Sequence, residues 1–387
     1  MNHALELALI DRCISARDKG TTTSGPAAAS HCSRYLSPER YDRELATLFA
    51  ALPSPVLHHS QLPEPNSYRT VDTALGGLVL TRDEHGKVHA FHNTCQHRGS
   101  TLVTDGGGCK ARLTCPYHAW SYATDGRLVG VPDKDQCFPD LTMSSLGLRE
   151  IPSVEKYGFV WLCPDSGPAG AEESLDRHLG KMREDLAWLS LDTLQVFRQT
   201  RHTWRGNWKI FAEGGLETYH FSIAHRDTIA SHFLHNTAIV DQLDDHFRVV
   251  MPNSRLAPML ERPREDWQLK DCTHTLFTLM PADSLLMQRD HVDWINMRPV
   301  AVDQTEITIT SLVPEDPSTL SPERNEFWQR NIDITEAVLT EDWVLGEGIQ
   351  RSLAAGAIEN IQYGSNEWAL AAFNEAVDKM TACTGRR

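Results

Sequence analysis

The stretch NTCQHRGSTLVTDGGGCKARLTCPYHAW, residues 93–120, decides the fold of the first half of the chain. It holds Cys95-x-His97 and, further on, Cys115-x-x-His118. Each pair offers one thiolate and one imidazole. Structural zinc sites usually pair like with like, Cys with Cys and His with His. A [2Fe–2S] cluster with two thiolates on one iron and two imidazoles on the other asks for this mixed set. With one Cys and one His from each loop, each loop touches both irons. Gly99 allows close backbone approach, and DGGG (105–108) reads as a turn between the loops. Cys109 falls outside the pattern and is expected to be a packing residue.

Short strands surround this stretch. GLVLT and KVHAF flank RDEHG, which predicts a β-hairpin, and YGFVWLC (157–163) reads as a further strand. PDSGPAGAEES (164–174) reads as a linker and domain boundary. Beyond it, FRVVM (247–251), THTLFTLM (273–280), DHVDWINM (290–297) and TEITITSLV (305–313) are strand-like. The last alternates at period two, as a half-buried strand does. From ERNEFWQRN the chain reads as helix to its end. The N-terminal twenty residues read as an amphipathic helix without a signal-peptide core. GTTTSGPAAAS (20–30) reads as a mobile loop. The expected organisation is α+β. A helical segment with a mobile loop spans 1–45, a small all-β cluster domain 46–165, and a domain with a curved antiparallel sheet 166–387.

Bulk properties narrow the function. A net charge of −15 argues against nucleic acid or an anionic membrane as partner. No run of eighteen apolar residues suggests a membrane span. Nine cysteines, an odd number scattered over 387 residues, argue for a reducing cytoplasm rather than a disulfide framework.

The pattern C-x-H-R-G…C-x-Y-H-x-W is similar to that of the Rieske non-haem iron oxygenases. It is less like the Rieske proteins of respiratory complexes, which carry an extra cysteine in each loop. Ser100 and Tyr117 stand at those places here. The resemblance implies that Cys95, His97, Cys115 and His118 hold a Rieske [2Fe–2S] cluster. It also implies a catalytic domain whose curved sheet wraps on helices in a helix-grip, START-like fold.

A second motif then gains meaning. In ETYHFSIAH (217–225), Glu217 and His220 are three apart and share a face if helical. His220 and His225 sit roughly 140° apart around an ideal helix, unlike the stacked i, i+4 pair of H-E-x-x-H proteases. In context, GNWKIFAEGGLETYHFSIAH resembles the oxygenase family's mononuclear iron motif. His220 and His225 would be two arms of a 2-His-1-carboxylate triad for Fe(II), with the helix bent or ending between them. The family's third ligand is an Asp on a C-terminal helix. DITEAVLTEDWVLGEGIQRSL (333–353) offers several acids. The run Glu341-Asp342-x4-Glu347-x2-Gln350 looks like that of the choline, carnitine and glycine betaine monooxygenase branch. That match assigns the ligand role to Asp342, with Asp333 as runner-up. Glu217 would bridge a Rieske histidine of one subunit to an iron-ligand histidine of the next, fixing their tautomers. Tyr219 reads as packing. Gly214-Gly215 depart from the family pattern, which has Asn after the acid matching Glu213. They suggest a break before the ligand helix or room near the metal.

The resemblance implies a terminal oxygenase that uses O2 and external electrons on a small molecule, within a head-to-tail homotrimer. The chain has no G-x-G-x-x-G at a strand–helix junction and no plant-type ferredoxin cysteine run. NAD(P)H therefore acts only indirectly, through a separate flavin/iron–sulfur reductase or ferredoxin. Arg98, Lys110 and Arg112 form a local basic patch suited to an acidic redox partner. The branch-like acids suggest hydroxylation or N-demethylation of a quaternary ammonium or N-methyl compound, with Trp267, Trp294, Phe233 and Phe277 as available aromatic walls. An aromatic acid is the alternative substrate, as a hydroxylase, dioxygenase or O-demethylase, with Arg255, Arg262 and Arg298 available for its carboxylate. A Rieske electron carrier without oxygenase activity is the non-enzyme alternative. Residues 226–330 are where specificity is expected to lie.

Overall fold

Asp83 closes the hairpin at the centre of the small sheet. In the computed structural model, which describes residues 1–20, 22–104 and 106–383, strand Gly76–Arg82 pairs antiparallel with Val88–His92. The Asp83 carboxylate closes the turn by accepting from the backbone N–H groups of His85 and Lys87, both at 2.9 Å. Gly86 supplies the left-handed position, φ +85°. This hairpin lies within a five-stranded antiparallel sheet, flanked by Glu150–Ile151 and Ser67–Thr73, with Gly107–Cys109 at the far edge. Two three-stranded sheets complete the unit that spans Phe49–His178. One of them contains Phe159–Leu162, the strand read from YGFVWLC.

The second unit comprises Met1–Leu48 and Leu179–Arg387. Its centre is a seven-stranded antiparallel sheet. In chain order the strands are β1 (Gln195–Trp204), β2 (Ile239–Leu243), β3 (His246–Pro252), β4 (Thr273–Leu279), β5 (Asp283–Met287), β6 (Val292–Ala301) and β7 (Gln304–Val313). β2 to β7 pair with their chain neighbours in a meander, and β1 closes on β7. Bulges interrupt the register near Val196 and near Pro299. All four strand-like segments fall in this sheet. The alternation of β7 holds from Thr305 to Ile309, after which every residue is buried. The polar side chains there are satisfied: Ser311 donates to Asp293 and Gln199 to Thr310.

Helices complete this unit. Helix α1 (His3–Lys19) buries Leu9, Ile10, Cys13 and Ala16 against Ile239, Val250, Leu269 and Cys272. Each buried aliphatic side chain contributes about 2 kcal/mol. Helix α2 (Trp208–Glu213) is buried on every side and starts at Asn207, whose side chain caps Lys209 N–H. One helical turn, α3 (Phe221–Ala224), follows. Helix α4 (Pro322–Ala354) is capped by Ser321, with Pro322 in its first turn and Glu323 favouring its positive end.

Three expectations need correction. The C-terminal helical reading is interrupted: α4 stops at Ala354, Gly356 adopts φ +69°, and helix resumes only as α5 (Trp368–Cys383). Between them Asn360–Tyr363 forms a strand with Ala28–His31, which overlaps the expected mobile loop. Ala-Ala-Ser-His has weak intrinsic strand preference, so the pairing is set by its distant partner. Part of the linker is also helical, Ala171–Leu179. Thr21 and Asp105, from the other loop and turn readings, lie outside the described residues.

Asp283, on β5, is fully buried and accepts from Trp294 Nε1 and Asn296 Nδ2, both at 2.8 Å. Burial outweighs these bonds and pushes its carboxyl up to about 7. A raised carboxyl favours the folded state at low pH, and that contribution is lost as pH rises from the unfolded value near 4 through 7. Asp283→Asn should therefore gain thermal stability relative to the wild type between about pH 5 and about pH 8. Melting curves at the two values check the sign.

Candidate functional site

The two cysteine–histidine loops share one backbone pattern. Cys95 N–H donates to Ser100 O at 2.9 Å, and Gly99 N–H to Cys95 O at 3.0 Å. In the second loop Cys115 N–H donates to Trp120 O at 2.8 Å, and Ala119 N–H to Cys115 O at 3.0 Å. Gly99 and Ala119 occupy equivalent left-handed positions, φ +74° and +58°. These matching turns bury both cysteines in one core with Trp120 and Tyr122. His97 stacks on Trp120, with ring centres 4.7 Å apart, and meets His118 edge-on at 4.8 Å. The thiols thus lie inside and the imidazoles outside, with His118 exposed. Burial pushes the Cys95 thiol above its ordinary range, a cost relieved when a metal takes the thiolate. Tyr122, to which no sequence motif pointed, braces the first loop: its hydroxyl accepts from Gln96 N–H at 3.0 Å and lies 3.4 Å from Cys95 Sγ. Cys109 corrects its packing expectation, for it is exposed.

The second site is built where α2 ends. Gly215 lies so close to β4 that a Cβ there would meet Leu276 at 2.5 Å, whereas one at Gly214 would meet open space. The chain turns through 3-10 geometry and becomes extended at Glu217. His220 then precedes α3 and His225 follows it. The pair thus brackets a single helical turn, and Glu217 and His220 are not on one regular helix. The Glu217 carboxylate instead folds back on the loop before this turn, accepting from Tyr219 N–H, from His220 N–H and from His220 Nδ1. Tyr219, expected to pack, is 55% exposed.

Helix α4 brings the third group. Asp342 Oδ1 lies 3.0 Å from His225 Nε2 and 3.5 Å from His220 Nε2. The three donor atoms lie within 4.8 Å of one another. Glu341, the preceding residue, engages the far side of His225, with Nδ1 at 2.6 Å. Burial works against protonation of both imidazoles. The Glu217 contact for His220, and the Asp342 and Glu341 contacts for His225, outweigh it and raise both pKa values. Both Nε2 atoms are buried, and neither makes a well-directed hydrogen bond although Asp342 lies close to both. Three carboxylates and two aimed imidazoles form a cluster that calls for a cation. The donor set, two His and one carboxylate, fits ferrous iron. Asp333 stands elsewhere, 2.6 Å from Arg198. Glu347 and Gln350 serve the scaffold: they accept from Arg205 N–H at 2.9 Å and Asn207 N–H at 3.0 Å, pinning the turn into α2.

His225 and Asp342 open onto a cavity of about 510 Å³ between the sheet and α4. Of the aromatic groups considered for its wall, only Phe233 lines it. Trp267, Trp294 and Phe277 are core residues. Of the three arginines only Arg255 lines it. Arg262 pairs with Asp271 and Arg298 with Glu306.

One mixed thiolate–imidazole site and one two-histidine, one-carboxylate site give the chain two distinct donor sets, each suited to iron. Residues 53–154 match the family model for the Rieske [2Fe-2S] domain, and residues 191–382 that for the ring hydroxylating alpha subunit (catalytic domain). The chain belongs to the Rieske-type ring-hydroxylating oxygenases, enzymes that hold a [2Fe–2S] cluster and a mononuclear iron. It is 31% identical over 258 residues to the large subunit of anthranilate 1,2-dioxygenase from Acinetobacter baylyi, covering 64% of this chain and 53% of that one. The matched segment thus spans about half the length of that relative. It is 32% identical over 172 residues to the glycine betaine monooxygenase oxygenase subunit of Chromohalobacter salexigens, covering 44% and 37%. Among solved structures, a quaternary ammonium Rieske monooxygenase superposes with a TM-score of 0.77 at 21% identity, covering 96% of this chain and 98% of that one. Naphthalene 1,2-dioxygenase from Rhodococcus gives 0.74 at 17%, covering 98% of each. At these identities the likeness establishes the fold.

His225→Ala should lower iron from about three to about two per chain while leaving the cluster's visible absorbance intact. Glu341→Gln should keep the ligands but weaken iron binding by about 10- to 100-fold, because the charge that orients His225 is lost. Metal analysis of dialysed protein checks both.

Proposed function

We propose that this chain is a terminal oxygenase component that hydroxylates or N-demethylates a small molecule. His220, His225 and Asp342 would hold mononuclear iron, and Cys95, His97, Cys115 and His118 the cluster. The observation that carries this reading is the donor trio on the wall of a mostly apolar cavity. Iron bound there, fed electrons from the Rieske cluster, supplies the activation of O2. The chain's own residues do the rest. Glu217 and Glu341 hold the Nδ1 sides of the two imidazoles and leave both Nε2 atoms for the metal. Phe221, Phe233, Met251 and Leu276 keep water from the substrate. Nothing on the wall replaces the metal as an oxygen-activating group, so the organic substrate fills the cavity beside it.

A quaternary ammonium or N-methyl compound is the first reading of the substrate, supported by the Glu341-Asp342 run and by the glycine betaine relative. An aromatic acid is the second, supported by Arg255 in the wall and by the anthranilate relative. Electrons would come from a separate reductase or ferredoxin docking near Arg98, Lys110 and Arg112, all exposed. A homotrimer in the cytoplasm is part of the same reading, and no helix among the described residues is long and apolar enough to cross a membrane.

Single turnover tests it. Chemically reduced enzyme is mixed anaerobically with a pool of quaternary ammonium compounds or of aromatic acids, then exposed to O2. The expected result is reoxidation of the cluster at least about tenfold faster with one pool, together with an oxygenated or demethylated product. Formaldehyde release marks the N-methyl reading. Cluster reoxidation that no compound accelerates, in protein holding about two irons per chain, would point to an electron carrier.

A further inference from the structure

One charged group on the cavity wall makes no close ion pair among the described residues. Arg255 lines the cavity, and no carboxylate lies within 4 Å of it among the described residues. Its protein hydrogen bond, from Nε to Asn253 Oδ1, is long at 3.4 Å. The two acids near enough to favour its charge, Asp271 and the cavity-wall Asp290, are engaged elsewhere: Asp290 with His291 at 2.9 Å, and Asp271 with Arg262 at 2.7 Å. Arg289, a second cation on the wall, lies 3.8 Å from Asp271 and near enough to Arg255 to oppose its charge. The imidazoles beside Arg255 offer no negative charge. Burial, the neighbouring histidine and Arg255 itself hold His274 at about 3, and burial with Arg255 lowers His232.

The cation has a defined place relative to the metal. Ring contacts run from His225 to Phe221 at 5.3 Å, from Phe221 to Phe233 at 5.2 Å and from Phe233 to His274 at 5.0 Å. His274 in turn meets His232 at 5.4 Å. An aromatic strip thus leads from the metal ligand to the Arg255 end. A half-buried guanidinium with free donors on an apolar wall is poorly solvated, and an incoming carboxylate would regain its hydrogen bonds in bidentate form.

We infer that Arg255 is the specificity-determining residue of the cavity and that the substrate carries a carboxylate. That group binds at the Arg255 end while the oxidised carbon lies toward His225 and Asp342. The inference rests on the oxygenase reading and narrows it. Betaines and aromatic acids share the required anion, whereas a cation without one, such as choline, lacks it. A site built for a charged partner rejects the neutral analogue strongly, because the guanidinium is then left unpaired.

The test is binding, measured by calorimetry on anaerobic, reduced, iron-loaded enzyme. The probes are benzoate against benzamide, and glycine betaine against choline. At least one carboxylate should bind about tenfold or more tightly than its neutral or cationic counterpart. Arg255→Gln should weaken that carboxylate by about 10- to 100-fold and leave the counterpart unchanged, with Arg255→Lys intermediate. Absence of any carboxylate preference in the wild type, or a preference that survives Arg255→Gln, would overturn the assignment. Failure of the oxygenase reading shows separately, as about two rather than three irons per chain in the same samples.

Discussion

The catalytic unit depends on one approach: Asp342 Oδ1 reaching both imidazole Nε2 atoms, at 3.0 and 3.5 Å. The histidines come from a single turn of chain and the aspartate from a helix more than a hundred residues later. Their meeting therefore requires α4 to lie in one register against α2. Gly346 permits it, because a Cβ there would strike Phe211 at 2.6 Å. Glu347 and Gln350 then fix the rotation by holding the backbone that enters α2. Positions 341, 342, 346, 347 and 350 thus act together. A shift of one residue along α4 would rotate the helix by about 100° and carry every one of these groups off target.

A similar logic orders the imidazoles. Each must present Nε2 to a cation, so each needs its Nδ1 occupied. Glu217 serves His220 from within the same loop, and Glu341 serves His225 from α4. The acid beside the ligand thereby has a role distinct from the ligand's own. Buried Lys209 and Glu44, 2.6 Å apart, anchor α2 beneath this assembly. Such a pair is weak as a source of stability but costly to break singly.

Much of this was legible in the sequence because covalent spacing carries it. Cys95-x-His97 and Cys115-x-x-His118 sit on matching turns, so the spacing of the loops specifies their geometry. The hairpin at Asp83 and the strands of the large sheet follow from alternation and turn residues. The choice of Asp342 over Asp333 came from resemblance, since both are helix acids and only the tertiary approach separates them. What stayed hidden depends on distant contacts. The pairing of Ala28–His31 with Asn360–Tyr363 has no local signal. Glu217 folds back on the loop that leads into the turn between the histidines, which spacing alone did not reveal. Tyr122 and Glu341 gain their roles only from what they touch, and of Phe233, Trp267, Trp294 and Phe277 only the fold shows which faces the cavity.

The division of labour along the cavity has an evolutionary consequence. Helix α4 carries the ligand, its neighbouring acid and the anchors on one rod, and its preceding turns lend Asn331, Ile334, Val338 and Leu339 to the cavity wall. The opposite wall includes strand residues such as Met251, Leu276 and Ile295. Adjacent side chains on a strand point to opposite faces, so one cavity-facing position can change while its neighbours keep the core. Selection can therefore reshape what the cavity accepts at such strand positions while the turn of α4 that bears the ligand stays unchanged. Room to vary and constancy of chemistry are thus assigned to different positions around one cavity.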